Sequence, residues 1–207
     1  MWTSALIAAM ACTLSGAVVI DRIAVIVNRH VVKASDVDRD LRVTAFLNNE
    51  QPKLDTAARK SAAERLIDQA LIRNEISAGG YRRASDEEAG SLLNGILRDR
   101  FGGSGPRLHQ ALVRVGLSED TLRTQLAWQL TVLQFIDERF RAGVLVTDED
   151  LRRYYDENRS RFPRPFEAER EAIRKLLEGE QVNQQFETWL EGARKRATIQ
   201  YREEGLK

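Results

Sequence analysis

Cysteine is almost missing from this chain. The one present, Cys12, lies in an apolar leader. Removal of that leader leaves no thiol, which excludes disulfide staples, CxxC redox chemistry and thiolate zinc sites, so the fold must hold by packing. Histidine is nearly as scarce. His30 and His109 stand far apart with no cysteine near them, a poor ligand set for a metal, and both are read as exposed side chains. No cofactor is implied. Charge of one sign is missing too: 32 Lys and Arg face 31 Asp and Glu, a net charge of +1. The basic excess expected of a nucleic-acid binder is therefore absent. The clusters Arg152-Arg153 and Arg194-Lys195-Arg196 are diluted by nearby acids and read as solvated helix faces.

Long hydrophobic runs are also lacking. Residues 1–20 carry no charge, but their apolar core, Leu6 to Ala11, is too short to span a membrane stably. Ser15-Gly16-Ala17 supplies the small residues that a signal peptidase reads, so residues 1–17 are expected to be an export signal cleaved after Ala17. The usual basic residues ahead of the apolar stretch are missing. A retained anchor and a lipidated Cys12 remain the alternatives.

What is present is a core-building composition, 43% hydrophobic and 30% charged, enough for one or two packed domains. With only four prolines and few β-branched runs, a mostly helical protein is expected. Ile23 to Val27 reads as a strand, Asn28-Arg29-His30 as a turn and Val31-Val32 as a second strand. Ser35 with Asp38 reads as a capping box opening a helix along Val37, Leu41 and Ala45. Asp55 is expected to cap a helix with the stripe Leu66, Ile67, Ala70 and Leu71, stopped by Gly79-Gly80. Ser85 with Glu88 opens the next helix, Pro106 fits the first turn of another, and Ser118 starts the most apolar one.

In that helix, Leu122, Leu126, Leu130, Leu133 and Ile136 form one stripe, with Trp128, Val132 and Phe135 beside it. Such breadth predicts burial by several neighbours. Thr147 with Asp150 caps a further helix. Pro163-Arg164-Pro165 breaks the chain, and a long helical pattern follows from about 166 to 197. The alternating run Thr198 to Tyr201 needs a strand partner, so residues 198–202 are expected to pair with the N-terminal hairpin. The predicted fold is mostly α, with a small β-sheet formed by the N-terminal hairpin and the C-terminal strand.

No reaction chemistry stands out. Gly102-Gly103-Ser104-Gly105 lacks both the Walker lysine and a preceding strand, and reads as an interhelical loop. Glu119/Asp120 and Asp148/Glu149 sit in first helical turns, where acids complement the helix dipole. Neither histidine stands in a motif with a serine. Of the aromatics, Phe46, Phe101, Trp128, Phe135, Tyr155 and Trp189 read as core. Phe140 and Tyr154 lie near the ends of packed stripes and are the candidate peptide-binding residues.

The segment DRIAVIVNRHVVKASDVDRDL at 21–41, a strand, tight turn, strand and capped helix behind an export signal, resembles the start of SurA-type periplasmic chaperones. The segment TDEDLRRYYDENRSRF at 147–162 resembles the stretch that leads into their parvulin domain. The helix and strand at 166–202 resemble the returning C-terminal part. The resemblance implies a helical chaperone region at 18–162 and a C-terminal helix and strand at 163–207 packing back on it, as one composite domain. Only Pro163, Arg164 and Pro165 stand where a parvulin isomerase domain is usually inserted, so no catalytic residue carries over and isomerase activity is not expected.

The function so implied is a non-enzymatic periplasmic holdase. It would bind unfolded polypeptides, outer-membrane proteins among them, in an apolar groove, with neither nucleic acid nor stable membrane insertion. A parvulin-group prolyl isomerase and an adaptor for one folded periplasmic partner are the competing readings.

Overall fold

The computed structural model describes residues 21–206. The leader, its cleavage after Ala17 and Cys12 lie outside them. Ile23–Val27 (β1) and His30–Lys33 (β2) pair antiparallel across Asn28-Arg29. Asn28 takes a left-handed φ of 53°, a conformation that Asn tolerates better than most residues. Seven α-helices follow among the described residues: α1 (Ala34–Leu47), α2 (Thr56–Gly79), α3 (Asp86–Phe101), α4 (Gly105–Arg114), α5 (Glu119–Phe140), α6 (Asp148–Glu157) and α7 (Phe166–Arg196). Ile199–Tyr201 (β3) then completes a three-stranded antiparallel sheet in the order β2-β1-β3.

The expected mostly-α architecture with its terminal sheet is what the structure has. Val25, Ile26 and Val27 of β1 face Tyr201, Gln200 and Ile199 of β3. Asn28 closes this seam. Its N–H donates to the Thr198 carbonyl (2.8 Å), and its side-chain oxygen accepts from the Thr198 N–H (2.9 Å). Beyond β3, Leu206 is buried within the main core.

Most helix starts follow the local capping chemistry. The side chains of Asp55, Ser85, Ser118 and Thr147 accept from backbone N–H groups three residues on, and Gly80 ends α2 in the left-handed conformation. Ser35 does not cap α1. The strand β2 runs straight into the helix, so α1 starts at Ala34. The Lys33 N–H is satisfied by Asp36 (3.0 Å), while the Ser35 hydroxyl donates to Asp21. Asp38 pairs with Arg59 of α2.

Three apolar clusters build the interior. The largest joins the sheet, α1, α2, the C-terminal part of α5 and the C-terminal half of α7. A second joins Val43 and Phe46 of α1 to α3, α4 and the N-terminal half of α5. A third joins α6 to the N-terminal half of α7 through Leu151, Tyr155 and Ile173. The expectation that α5 is enclosed along its stripe needs correction at Leu133, which is 63% exposed. Arg194 also departs from the solvated-face reading. It binds Glu64 (2.7 Å) and Asp68 (2.5 Å) and pins α7 to α2.

Candidate functional site

Two concave surfaces flank α5. The first is a trough between α2 and α5. Its outer part, about 560 Å³, is lined by Val31 and Val32 of β2, Val43 of α1, Leu66 and Ala70 of α2, and Thr121, Thr124 and Gln125 of α5. Its inner part, about 400 Å³, is lined by Ile76 and Ser77 of α2, Trp128 of α5 and Arg83 and Ala84 of the α2–α3 link. Arg73, Thr124 and Gln125 line both parts. The two therefore adjoin along these side chains.

Helical spacing explains the trough. On α2, residues 66, 70, 73 and 77 fall on one face. That face is apolar at Leu66 and Ala70, then turns polar at Arg73 and Ser77, which leaves the seam unfilled. From Asp120 to Thr131 the trough follows α5 for about 16 Å at about 1.5 Å per residue. That length matches about five residues of extended chain at about 3.3 Å each.

At the outer end stands β2, whose outer edge pairs with no strand among the described residues. The two-residue loop makes Val27 and His30 a hydrogen-bonded pair, so the alternating ladder turns the N–H and C=O of Val31 outward. Val31 is itself exposed. Asp36, Arg39, Asp40 and Asp120 also line this end. Asp36 pairs with Arg39 (2.9 Å) and Asp40 with Arg65 (2.5 Å).

At the inner end the Arg73 guanidinium lies 3.8 Å from the centre of the Trp128 ring. Burial first, and repulsion from Arg83 second, draw the Arg73 pKa below its ordinary value. Arg83 donates to the Ser77 hydroxyl (3.0 Å). Its link is fastened to α5, because the Ala84 N–H donates to Thr131 Oγ1 (3.0 Å) and the Thr131 hydroxyl donates to the Ala127 carbonyl (2.8 Å). Tyr81, at the start of the link, packs edge-on against Phe135 and accepts from Arg139 (2.9 Å).

The second concave surface is a cleft of about 670 Å³ between the C-terminal half of α5 and the middle of α7. Leu133, Ile136 and Val182 give it an apolar floor, and Arg82, Asp137, Glu138 and Arg141 surround it. Gln134 lines it as well. Its amide N–H donates to Glu88 (3.1 Å), while its buried carbonyl oxygen has no partner.

Neither sequence candidate lines these surfaces. Phe140 is only 6% exposed. Its ring meets Phe135, Phe186 and Trp189 at 5.9–6.0 Å between centroids, so no peptide reaches it without opening that cluster. Tyr154 is half-buried on α6 beside Phe162, and its hydroxyl accepts from Arg161 (2.9 Å). His30 and His109 are both exposed, and His30 lines the outer trough. Sequence reading missed Arg73, Arg83, Thr124 and Leu133. The signal for Arg73 was present: a charged residue replaces the next apolar position of the stripe on α2.

No protein-family model matches the chain, and no curated protein matches it. No helix among the described residues is long and apolar enough to cross a membrane.

Proposed function

We propose that this chain is a holdase-type chaperone of the SurA kind, exported to the periplasm, which shields unfolded polypeptides and performs no catalysis of its own. Outer-membrane proteins in transit are the client class that the resemblance suggests. The observation that carries the reading is the α2–α5 trough. It is long enough for about five extended residues, lined by Val31, Val32, Val43, Leu66 and Ala70 together with polar Gln69, Thr121, Thr124 and Gln125, and bordered by a strand edge that pairs with no strand among the described residues. Such an edge recruits any extended segment through its backbone, giving affinity without sequence choice, while exposed Val31 and half-buried Leu66 offer apolar contact to alternate side chains. Release follows from weak binding and from folding or transfer of the client.

The test is suppression of aggregation of a denatured outer-membrane protein by the mature chain. Thr124 is exposed and lines both parts of the trough, so Thr124→Trp fills it from the surface. The variant should remain folded and lose client affinity by about tenfold, equivalent to about 1.4 kcal/mol. Unchanged suppression by T124W contradicts the trough as the client site.

The exposure of Leu133 in the α5–α7 cleft favours a second reading, an adaptor that docks one folded partner there. Under that reading Leu133→Asp abolishes capture of a stoichiometric folded partner and T124W has no effect.

A further inference from the structure

We propose that the inner end of the trough, at Arg73, Arg83 and Trp128, binds the C-terminal carboxylate of a client polypeptide, so that clients are captured by their ends as well as along their length. This rests on the reading of the trough as a polypeptide site and adds a polarity to it.

The two guanidiniums stand apart from the other arginines that tie this molecule together. Arg59, Arg65, Arg139, Arg164, Arg174 and Arg194 each reach an Asp or Glu. Arg73 and Arg83 line one cavity, and neither has a carboxylate partner among the described residues. Two like charges converging on one hollow repel, and an anion placed between them relieves both. Repulsion from Arg83 is the second cause, after burial, of the lowered pKa of Arg73.

Both cations are exposed, and each has one contact before any ligand arrives. The Arg73 guanidinium carbon lies 3.8 Å from the centre of the Trp128 ring, and Trp128 is buried in the main core. A guanidinium held by an aromatic ring still carries a planar fork of N–H donors that can grip a carboxylate through two hydrogen bonds. Arg83 is tethered to Ser77, and the adjacent Ala84 to Thr131. These contacts reduce the side-chain entropy that binding must still remove.

The source of the anion follows from the shape. The cavity adjoins the outer trough at Arg73, Thr124 and Gln125, of which Arg73 and Thr124 are exposed, so a carboxylate there can carry a polypeptide over them into the outer trough. At the outer end Asp36 and Asp40 are balanced by Arg39 and Arg65, and Asp120 adds one further acid. The inner end has two cations with no carboxylate partner among the described residues, so a carboxylate is favoured there and the chain is set with its C-terminus inward.

The experiment is fluorescence anisotropy with a labelled, aromatic-rich peptide free of Asp and Glu, made once with a free C-terminal carboxylate and once as the amide. The expected result is about tenfold weaker binding of the amide, with the difference abolished in Arg73→Gln and reduced in Arg83→Gln while amide binding persists. Circular dichroism confirms that both variants are folded. Equal binding of acid and amide overturns the carboxylate site and leaves the trough reading standing. A preference for the acid that survives both variants also overturns it. Failure of every peptide to bind overturns both proposals. Inorganic phosphate is titrated as a competitor. If it binds the wild type but not R73Q, with no preference for the acid peptide, the site takes a free anion and the proposal fails.

Discussion

Phe140 illustrates how a residue's role depends on its neighbours. It ends the apolar run of α5, and it closes an aromatic cluster of Phe135, Phe186 and Trp189, with the Arg139 guanidinium 5.6 Å from its own ring. Edge-to-face contacts of this kind add to the burial of large rings. Phe140→Ala should cost about 3–5 kcal/mol of folding stability, the range for emptying a buried aromatic site. Urea denaturation measures it. The folded fraction should bind clients with wild-type affinity, which separates a packing residue from a binding one. Arg194 has a similar structural role. Its pairs with Glu64 and Asp68 are partly buried, and Glu64 also accepts from the Tyr201 hydroxyl (2.5 Å). Burial first, then the Glu64 bond, push the Tyr201 pKa up to about 12.

At the scale of elements, helix starts decide where the walls of the trough lie, and α3 supplies a pH test. Glu88 accepts from the Ser85 N–H (2.7 Å) and from Arg82 (2.8 Å). The backbone bond first and the Arg82 bond next hold its pKa down to about 2, against an ordinary 4.5. A depressed carboxylate stabilises the fold above its unfolded pKa and loses that contribution as pH falls through the folded one. Amide protection factors in the first turn of α3, exchange rates corrected for the intrinsic pH dependence, should therefore fall as pH drops from about 4.5 towards 2, and Glu88→Gln should flatten the change.

These caps were legible in the sequence because capping is local: Asp55, Ser85, Ser118 and Thr147 each need only the next three residues. Ser35 misled because the strand before it runs into the helix without a loop, and the alternative partner, Asp21, lies 14 residues away. Leu133 and Phe140 misled for another reason. Periodicity tells which face a residue occupies and says nothing about what covers that face. Leu133 looks out over the α5–α7 cleft, while Phe140 is roofed by a helix that begins 26 residues later in the chain. Arg83 was out of reach for the same cause, since its place in the trough is set by Thr131, well beyond it in sequence.

For the whole molecule, the decisive feature is closure of the two ends into one sheet. β3 pairs with β1, Glu203 binds Arg59 (3.1 Å), and Leu206 is buried in the main core. Truncation after Ala197 removes all three. Burial of Leu206 alone contributes about 1.5–3 kcal/mol, so the truncated chain should lose at least that much and melt at a lower temperature. The effect should reach the trough, because β1, which holds β2, loses its pairing with β3. This closure was readable from the alternating run at 198–201, which had no other strand to pair with. The trough was not, because a hollow arises where side chains from β2, α1, α2 and α5 fail to meet.

The central claim, that unfolded chain lies between α2 and α5, is tested most directly by site-specific photo-crosslinking. A photoreactive side chain at Thr124 is compared with one at Glu187, an exposed residue of α7 that lines neither concave surface. The account predicts crosslinks to a denatured outer-membrane protein from position 124, lost when the client is folded, and few from position 187. Equal yields from the two positions, or none from position 124, contradict it.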